Sequence, residues 1–335
     1  GVEDWQFKFN WKDQTRRLFT GDGWRFDSNS FFTNWGHVMS GAVYYNAFRT
    51  NYHSWSRSLF YASLMSFYWE LLVEWREVIS INDNIFTTIG GFPIGEALFQ
   101  TGSFLQSRPG WPAKVMGGLL NPFRAFNRWL DRRQSFPAPE FSAHRFRLYA
   151  GHRSGENLAG EQNRNFAEFG LIADLVRVPG FGRPGELKEW RSDILSTYLG
   201  MQFLVGSDGL EEYEILARTM PWGWVWQDLT PVADWDVHGH SLVAGAVMAF
   251  ELYGQRQYWE YDQKDPFFQP WDYEQIPLPT RFTDKYSAIH LIGPRIEWRY
   301  HGRGFDWKTA AETTVDFTMT GAFALNDYTN SQSWD

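Results

Sequence analysis

The stretch from Thr314 to Asn326 alternates without a slip. Val315, Phe317, Met319, Gly321, Phe323 and Leu325 share one face; Thr314, Asp316, Thr318, Thr320 and Asn326 share the other. A period of two marks a strand with unlike surroundings on its two sides. The same rhythm runs through Phe146–Ala150, Glu168–Leu175 and Arg295–Tyr300. It also runs through 195–205 and 242–252, each eleven residues long. Globular strands average about 5–6 residues, whereas a tilted membrane-spanning strand needs about 9–11. One face of these runs is apolar and the other polar, charged or small, as a barrel wall between lipid and a wet lumen requires. Trp222, Trp224 and Trp226 put three indoles on one face, which fits an aromatic girdle. A water-soluble sandwich or barrel with one face on a core gives similar alternation, so strand length and tryptophan placement carry the distinction.

Composition points the same way. The 335 residues include 19 Trp, 15 Tyr and 29 Phe, more ring than a soluble core needs. Trp and Tyr favour boundaries where one end of the ring is apolar and the other wet. A net charge of −8 without a basic run argues against nucleic acid as a partner. With no cysteine, thiolate metal sites, disulfides and Cys nucleophiles are excluded. Gly1 opens directly on charged and aromatic residues, which reads as a mature chain or an excised piece. The most apolar helical run, roughly 58–75, is interrupted by serines and by Glu70 and Glu74, so a helical membrane span is a poor reading.

The period changes between about 31 and 135. Residues 5–12 (WQFKFNWK) alternate as a strand. Beyond them His37, Gly41, Tyr44, Tyr45 and Phe48 fit one face of a helix, and 56–78 predict a longer one. SINDN (80–84) reads as a break rich in N-caps. Residues 93–105 predict a third helix, and Asn121–Pro122 cap a fourth running to about Arg133. After FPAPE (136–140) strands return, separated by long polar loops such as 254–284. The domains expected are an N-terminal strand region 1–30, a helical lumen or plug domain 31–135, and barrel strands and loops 136–335. The fold class expected is mainly β with an α-helical insert: a transmembrane antiparallel β-barrel with helices in or capping the lumen.

The motifs NWGHVMSGAVYYNAFR (34–49), SFYWELLVE (66–74), SIND (80–83) and GGFPIGE (90–96) occur in order. As a set they resemble an uncharacterised bacterial outer-membrane family, a domain of unknown function followed by a β-barrel. The resemblance covers roughly 34–130. It implies a bacterial outer-membrane location, with membrane lipid and other envelope proteins as partners; it supplies no activity. Such barrels commonly end on an aromatic residue, whereas this chain ends NSQSWD, which reads as a barrel cut short of its last strands. A weaker likeness is to VanZ-like helical membrane domains, which also carry a helix-borne His, a Glu and a later Asp.

Ser63, Ser66, Glu70, Glu74 and Glu77 form one stripe on a helix, opposite Leu64, Phe67, Tyr68, Leu71, Leu72 and Trp75. One reading makes that helix a plug, apolar toward its sister helices and acidic toward barrel-wall arginines (Arg145, Arg147, Arg295, Arg299) or toward Arg124, Arg128 and Arg132. The other makes His37, Glu70, Glu74 and Asp83 a site, for a divalent cation or for acid–base work on an envelope lipid or glycan. Arg124, Arg128 and Arg132 are also candidates for lipid phosphates. His238 and His240 share a strand face and are weak candidates for metal. No cofactor is expected, and no metal beyond those weak candidates; HExxH, P-loop, GxSxG and Rossmann patterns are absent. The leading expectation is an outer-membrane barrel acting as scaffold, plugged pore or part of an envelope complex. The alternatives are a hydrolase or transferase using His37 with Glu70 or Glu74, and a soluble carbohydrate-active protein.

Overall fold

A computed structural model of the chain describes residues 11–20, 23–26, 31–74, 79–131, 143–156, 163–207, 209–233, 236–258, 281–302 and 304–321. Helices occupy the first part: α1 (Trp11–Phe19), α2 (Phe31–Thr50), α3 (Trp55–Tyr68), α4 (Ile81–Ile85), α5 (Gly91–Ser107), α6 (Trp111–Leu120) and α7 (Pro122–Asp131). Two π-helical turns, Trp69–Val73 and Phe86–Gly90, extend α3 and join α4 to α5. Two-residue strands β1 (Trp24–Arg25) and β2 (Ile79–Ser80) pair in parallel. Ser54 and Ser80 cap α3 and α4 by accepting from the Arg57 and Asp83 amides. The strand expected over 5–12 is corrected where it can be seen: Trp11 and Lys12 open a helix, while 5–10 lie outside the described residues. Helix α6 was not expected; its Gly117–Gly118 pair weakens the helical pattern.

Among the described residues the second part is a nine-stranded antiparallel sheet. Its strands are β3 (Ala143–Glu156), β4 (Asn163–Val176), β5 (Gly185–Arg191), β6 (Ser196–Gly206), β7 (Gly209–Ala233), β8 (Asp236–Tyr258), β9 (Arg281–Gly302), β10 (Phe305–Glu312) and β11 (Asp316–Gly321). The path is β10-β9-β8-β7-β6-β4-β3, with β11 on β9 and β5 on β7. Strands β8 and β9 therefore claim both ends of the expected 254–284 loop, whose 259–280 lie outside the described residues.

The long strands come in two storeys. At one level β7 sets Met220 and Pro221 against Val247 alone, and β9 sets Leu291 and Ile292 against Met248 alone, one extra residue in each beside a straight β8. Pro221 has no N–H to give to a ladder, and a bulge is where a strand tolerates that. Each storey is about ten residues tall, roughly 33 Å.

The sheet curls with its polar face inward. Lys308 on β10 reaches Asp174 on β4 at 3.5 Å, and Arg299 on β9 reaches the same carboxylate at 3.8 Å. Five strand spacings separate β10 from β4, about 24 Å along a flat sheet, so only strong curvature toward this face allows the contact. Arg218 on β7 likewise meets Glu312 on β10 at 3.0 Å. Among the described residues the sheet is a half-barrel that does not close, where a barrel was expected.

The apolar face is convex, and the helices pack on it. Val38, Ala42, Phe86, Ile94 and Ala97 form one core with Ala173, Leu199, Ala217, Phe250, Leu252, Ile289 and Met319. This corrects the expectation of helices in or capping the lumen: they cover the outer wall of the lower storey. The reason is that this wall offers oil, and α2 and α5 bring methyls and rings to it.

The helical layer has its own inversion. Helix α3 buries Ser58, Ala62 and Ser66, and its π turn buries Glu70, while Phe60, Leu64, Tyr68 and Leu72 are exposed. The apolar side expected to meet sister helices therefore faces outward. Trp111, Val115 and Leu119 of α6 and Phe126, Trp129 and Leu130 of α7 are exposed as well. No helix among the described residues is long and apolar enough to cross a membrane.

Candidate functional site

Polar groups converge inside the helical layer at two places. The first joins α2 to α5. Glu96 is completely buried and accepts from Arg49 Nε at 3.0 Å, from the Tyr45 hydroxyl and from Gln100. Burial pushes the Tyr45 phenol well above its ordinary value, and the neighbouring Glu96 charge pushes the same way. Burial opposes the Arg49 charge, yet Glu96 and Tyr45 outweigh it and hold the guanidinium protonated. Glycine makes the meeting possible: a Cβ on Gly91 would stand 2.6 Å from the Gly41 carbonyl carbon, and one on Gly95 2.8 Å from the Tyr45 ring. Gly91 and Gly95 thus allow the close approach of α2 and α5.

The second place is a cleft of about 350 Å³ between α2, the end of α3 and the second π turn. His37 Nε2 lies 3.4 Å from Asp83 Oδ2. Asp83 is positioned by the α4 cap, where its amide donates to Ser80 Oγ at 3.2 Å. Glu70 lines the same cleft and accepts from the Ser80 amide at 3.2 Å, while Arg17 donates to its carbonyl at 2.7 Å. Ser66 donates to Asn84, whose amide donates to the Ser80 carbonyl. The short β2–α4 segment therefore serves as a polar hub, and π turns are where such side chains are often displayed.

Three of the four residues expected as a site come together: His37, Glu70 and Asp83. Glu74 does not join them. The π turn carries an extra residue, so Glu74 leaves the stripe by about 100° and instead accepts from Trp69 Nε1 at 2.9 Å. Glu77 and Arg132 lie outside the described residues. Tyr44, Ser40, Trp69 and Thr87 also line the cleft and were not singled out from the sequence. The motif set nevertheless held the signal, because its Tyr45, Arg49, Ser80, Asp83 and Glu96 are the groups that interlock.

Two of the four wall arginines, Arg295 and Arg299, are engaged elsewhere than on the acidic stripe. Arg295 pairs with Glu297 and Glu312, and Arg299 with Glu297 at 2.6 Å, on the concave face away from the helices. Arg124 is buried and Arg128 half-buried on α7, so the expected row does not present itself as a set of surface cations. His238 and His240 are absorbed by rings: His238 Nε2 meets the Tyr300 hydroxyl at 3.2 Å, and His240 stacks on Trp298 at 5.7 Å. Among the described residues no three His, Asp or Glu converge as metal ligands do.

Above the helices the convex wall exposes large apolar side chains. Trp224 (55% exposed), Ile296 (53%) and Trp307 (60%) lie on it with Trp190, Trp226 and Trp298. The register aligns Trp190, Trp224, Ala244 and Ile296 in one row and Trp226, Leu242 and Trp298 in the next.

A protein-family model, Domain of unknown function (DUF3943), matches residues 23–123, which hold both polar centres. The description names no activity. No curated protein and no solved structure matches the chain.

Proposed function

We propose that the chain is an envelope protein whose strands sit in the bacterial outer membrane, with the helical layer against the outer wall of the sheet as a scaffold inside the lipid. The observation that carries this reading is the inversion of polarity. Ion pairs line the concave side, carboxylates and amides fill the helical layer, and indoles and leucines cover the outside. In water that exterior is costly, at about 25 cal/mol per Å² of apolar surface; against acyl chains the cost vanishes. Contiguous apolar exteriors of this kind mark contact surfaces, and rows of Trp suit a lipid interface.

The chain contains no cysteine, so single replacements give unique nitroxide sites. In phospholipid vesicles a label at Ile296→Cys or Leu119→Cys should be relaxed by oxygen far more than by a water-soluble nickel chelate. A label at Gln202→Cys, on the concave face, should show the reverse. If the Ile296 label answers chiefly to nickel, the membrane assignment is lost.

The alternative, an enzyme acting on an envelope lipid or glycan, is favoured by one observation, the His37–Asp83 contact beside Glu70 in an open cleft. A carboxylate behind an imidazole orients it as a general base. Under this reading His37→Ala abolishes conversion of an envelope lipid and glycan extract, followed by mass spectrometry, and leaves the melting transition in place. Conversion that survives His37→Ala removes it.

A further inference from the structure

We infer that the cleft is a binding site for the polyhydroxylated ring of a glycoside. This deepens the envelope reading by naming what the helical layer would hold. Five of the nine lining residues carry a hydroxyl, set into a mostly apolar surface: Thr33, Ser40, Tyr44, Ser66 and Thr87. A hydroxyl can both donate and accept, which matches a ligand whose own groups are hydroxyls; Ser66, whose proton goes to Asn84, is left to accept. Glu70 adds a buried carboxylate to the lining, and Asp83 stands behind His37. Among the described residues neither lysine nor arginine lines the cleft, and the Glu70 carboxylate disfavours phosphate and other anions.

Trp69 supplies the complementary apolar surface. Its N–H is already given to Glu74, so what the indole offers the cleft is its ring. A sugar presents C–H groups to such a ring and O–H groups to the hydroxyls around it. The cleft volume of about 350 Å³ lies within the usual range for small-ligand sites, roughly 300–1,000 Å³. Trp69 and its neighbours Tyr68 and Leu72 are exposed and apolar, so a ring carried on an acyl anchor could enter from the same side as its lipid.

Gly36 gives a clean test. It lines the cleft, and a Cβ built on it meets no atom within 4 Å. Gly36→Trp therefore fills the space without entering the packing. The full chain, held in a sugar-free zwitterionic detergent, is titrated with methyl glucosides, galactosides and mannosides. In nanodiscs it meets the same sugars linked to diacylglycerol. Saturation-transfer NMR reads contact at the sugar protons. Transfer is expected from at least one glycoside, lost in Gly36→Trp at an unchanged melting transition, and weakened ten-fold or more in Trp69→Ala. Binding of both forms assigns the ring itself; binding of the lipid-linked form alone assigns a glycolipid.

Absence of transfer from every glycoside overturns the proposal, as does transfer that Gly36→Trp leaves intact. Displacement of no sugar but of an ethanolamine or choline amine in a Gly36→Trp-sensitive manner overturns it in favour of a cation site. Glycoside binding that persists while the Ile296 label reports water would leave the cleft assignment standing and the membrane reading fallen.

Discussion

Replacing Glu96 by alanine is expected to destabilise the fold by about 3–5 kcal/mol. The cost comes from what the substitution leaves behind. Arg49 stays buried, with 11% of its side chain exposed, and loses the carboxylate that holds its charge. Tyr45 and Gln100 lose the same acceptor, and a buried donor without a partner costs about 1–3 kcal/mol. The double replacement Arg49→Met with Glu96→Leu should recover most of the loss, because two apolar groups bury no charge. Urea titration of the whole chain in micelles, followed by tryptophan emission, measures both. Equal losses in the single and double variants would mean that the pair contributes nothing beyond its volume.

Gly41→Val is expected to be the most damaging single change in the helical layer, above about 4 kcal/mol. A Cβ on Gly41 would fall inside the Thr87 carbonyl, and its helix is already in backbone contact with Gly91. Backbone cannot give way as a flexible side chain does, so α2 must separate from the second π turn and from α5. That separation opens both polar centres at once. Gly36→Ala, five residues earlier on the same helix, should instead raise stability by up to about 1 kcal/mol through helix propensity alone. Matched thermal melts test the contrast; similar behaviour of the two variants would refute the close crossing.

Much of this was legible from spacing. Helices α2, α3, α5 and α7 follow the 3.6-residue pattern, and the strands carrying Leu199, Phe250 and Phe317 follow the period of two. What alternation could not tell was which neighbour the oily face would find. A row such as Phe146, Ala173, Leu199, Ala217 and Phe250 is equally suited to lipid and to a helix, and here α2 and α5 claimed it. The acidic stripe failed for a different reason. Ser66 and Glu70 kept their common side, but the π turn at Trp69 broke the count that carried it on to Glu74. The Arg49–Glu96 pair spans 47 residues of sequence, beyond the reach of any periodicity. Strands β5 and β10 went unnoticed because they are short, and all eight residues of β10 are exposed.

The extra residues beside the straight β8 set a rule for how this gene can change. Below the break the outer wall of β7 reads Ile215, Ala217, Thr219; above it the wall reads Trp222, Trp224, Trp226. Odd numbers hand over to even ones only because Met220 and Pro221 stand together. A single lost codon at that spot would only remove the bulge and leave Thr219 and Trp222 on the same wall, whereas two lost codons would swap inside for outside along the whole distal half of the strand, turning indoles inward and Gln227 out. Single-residue length changes should therefore be tolerated at the break and nowhere else along these strands.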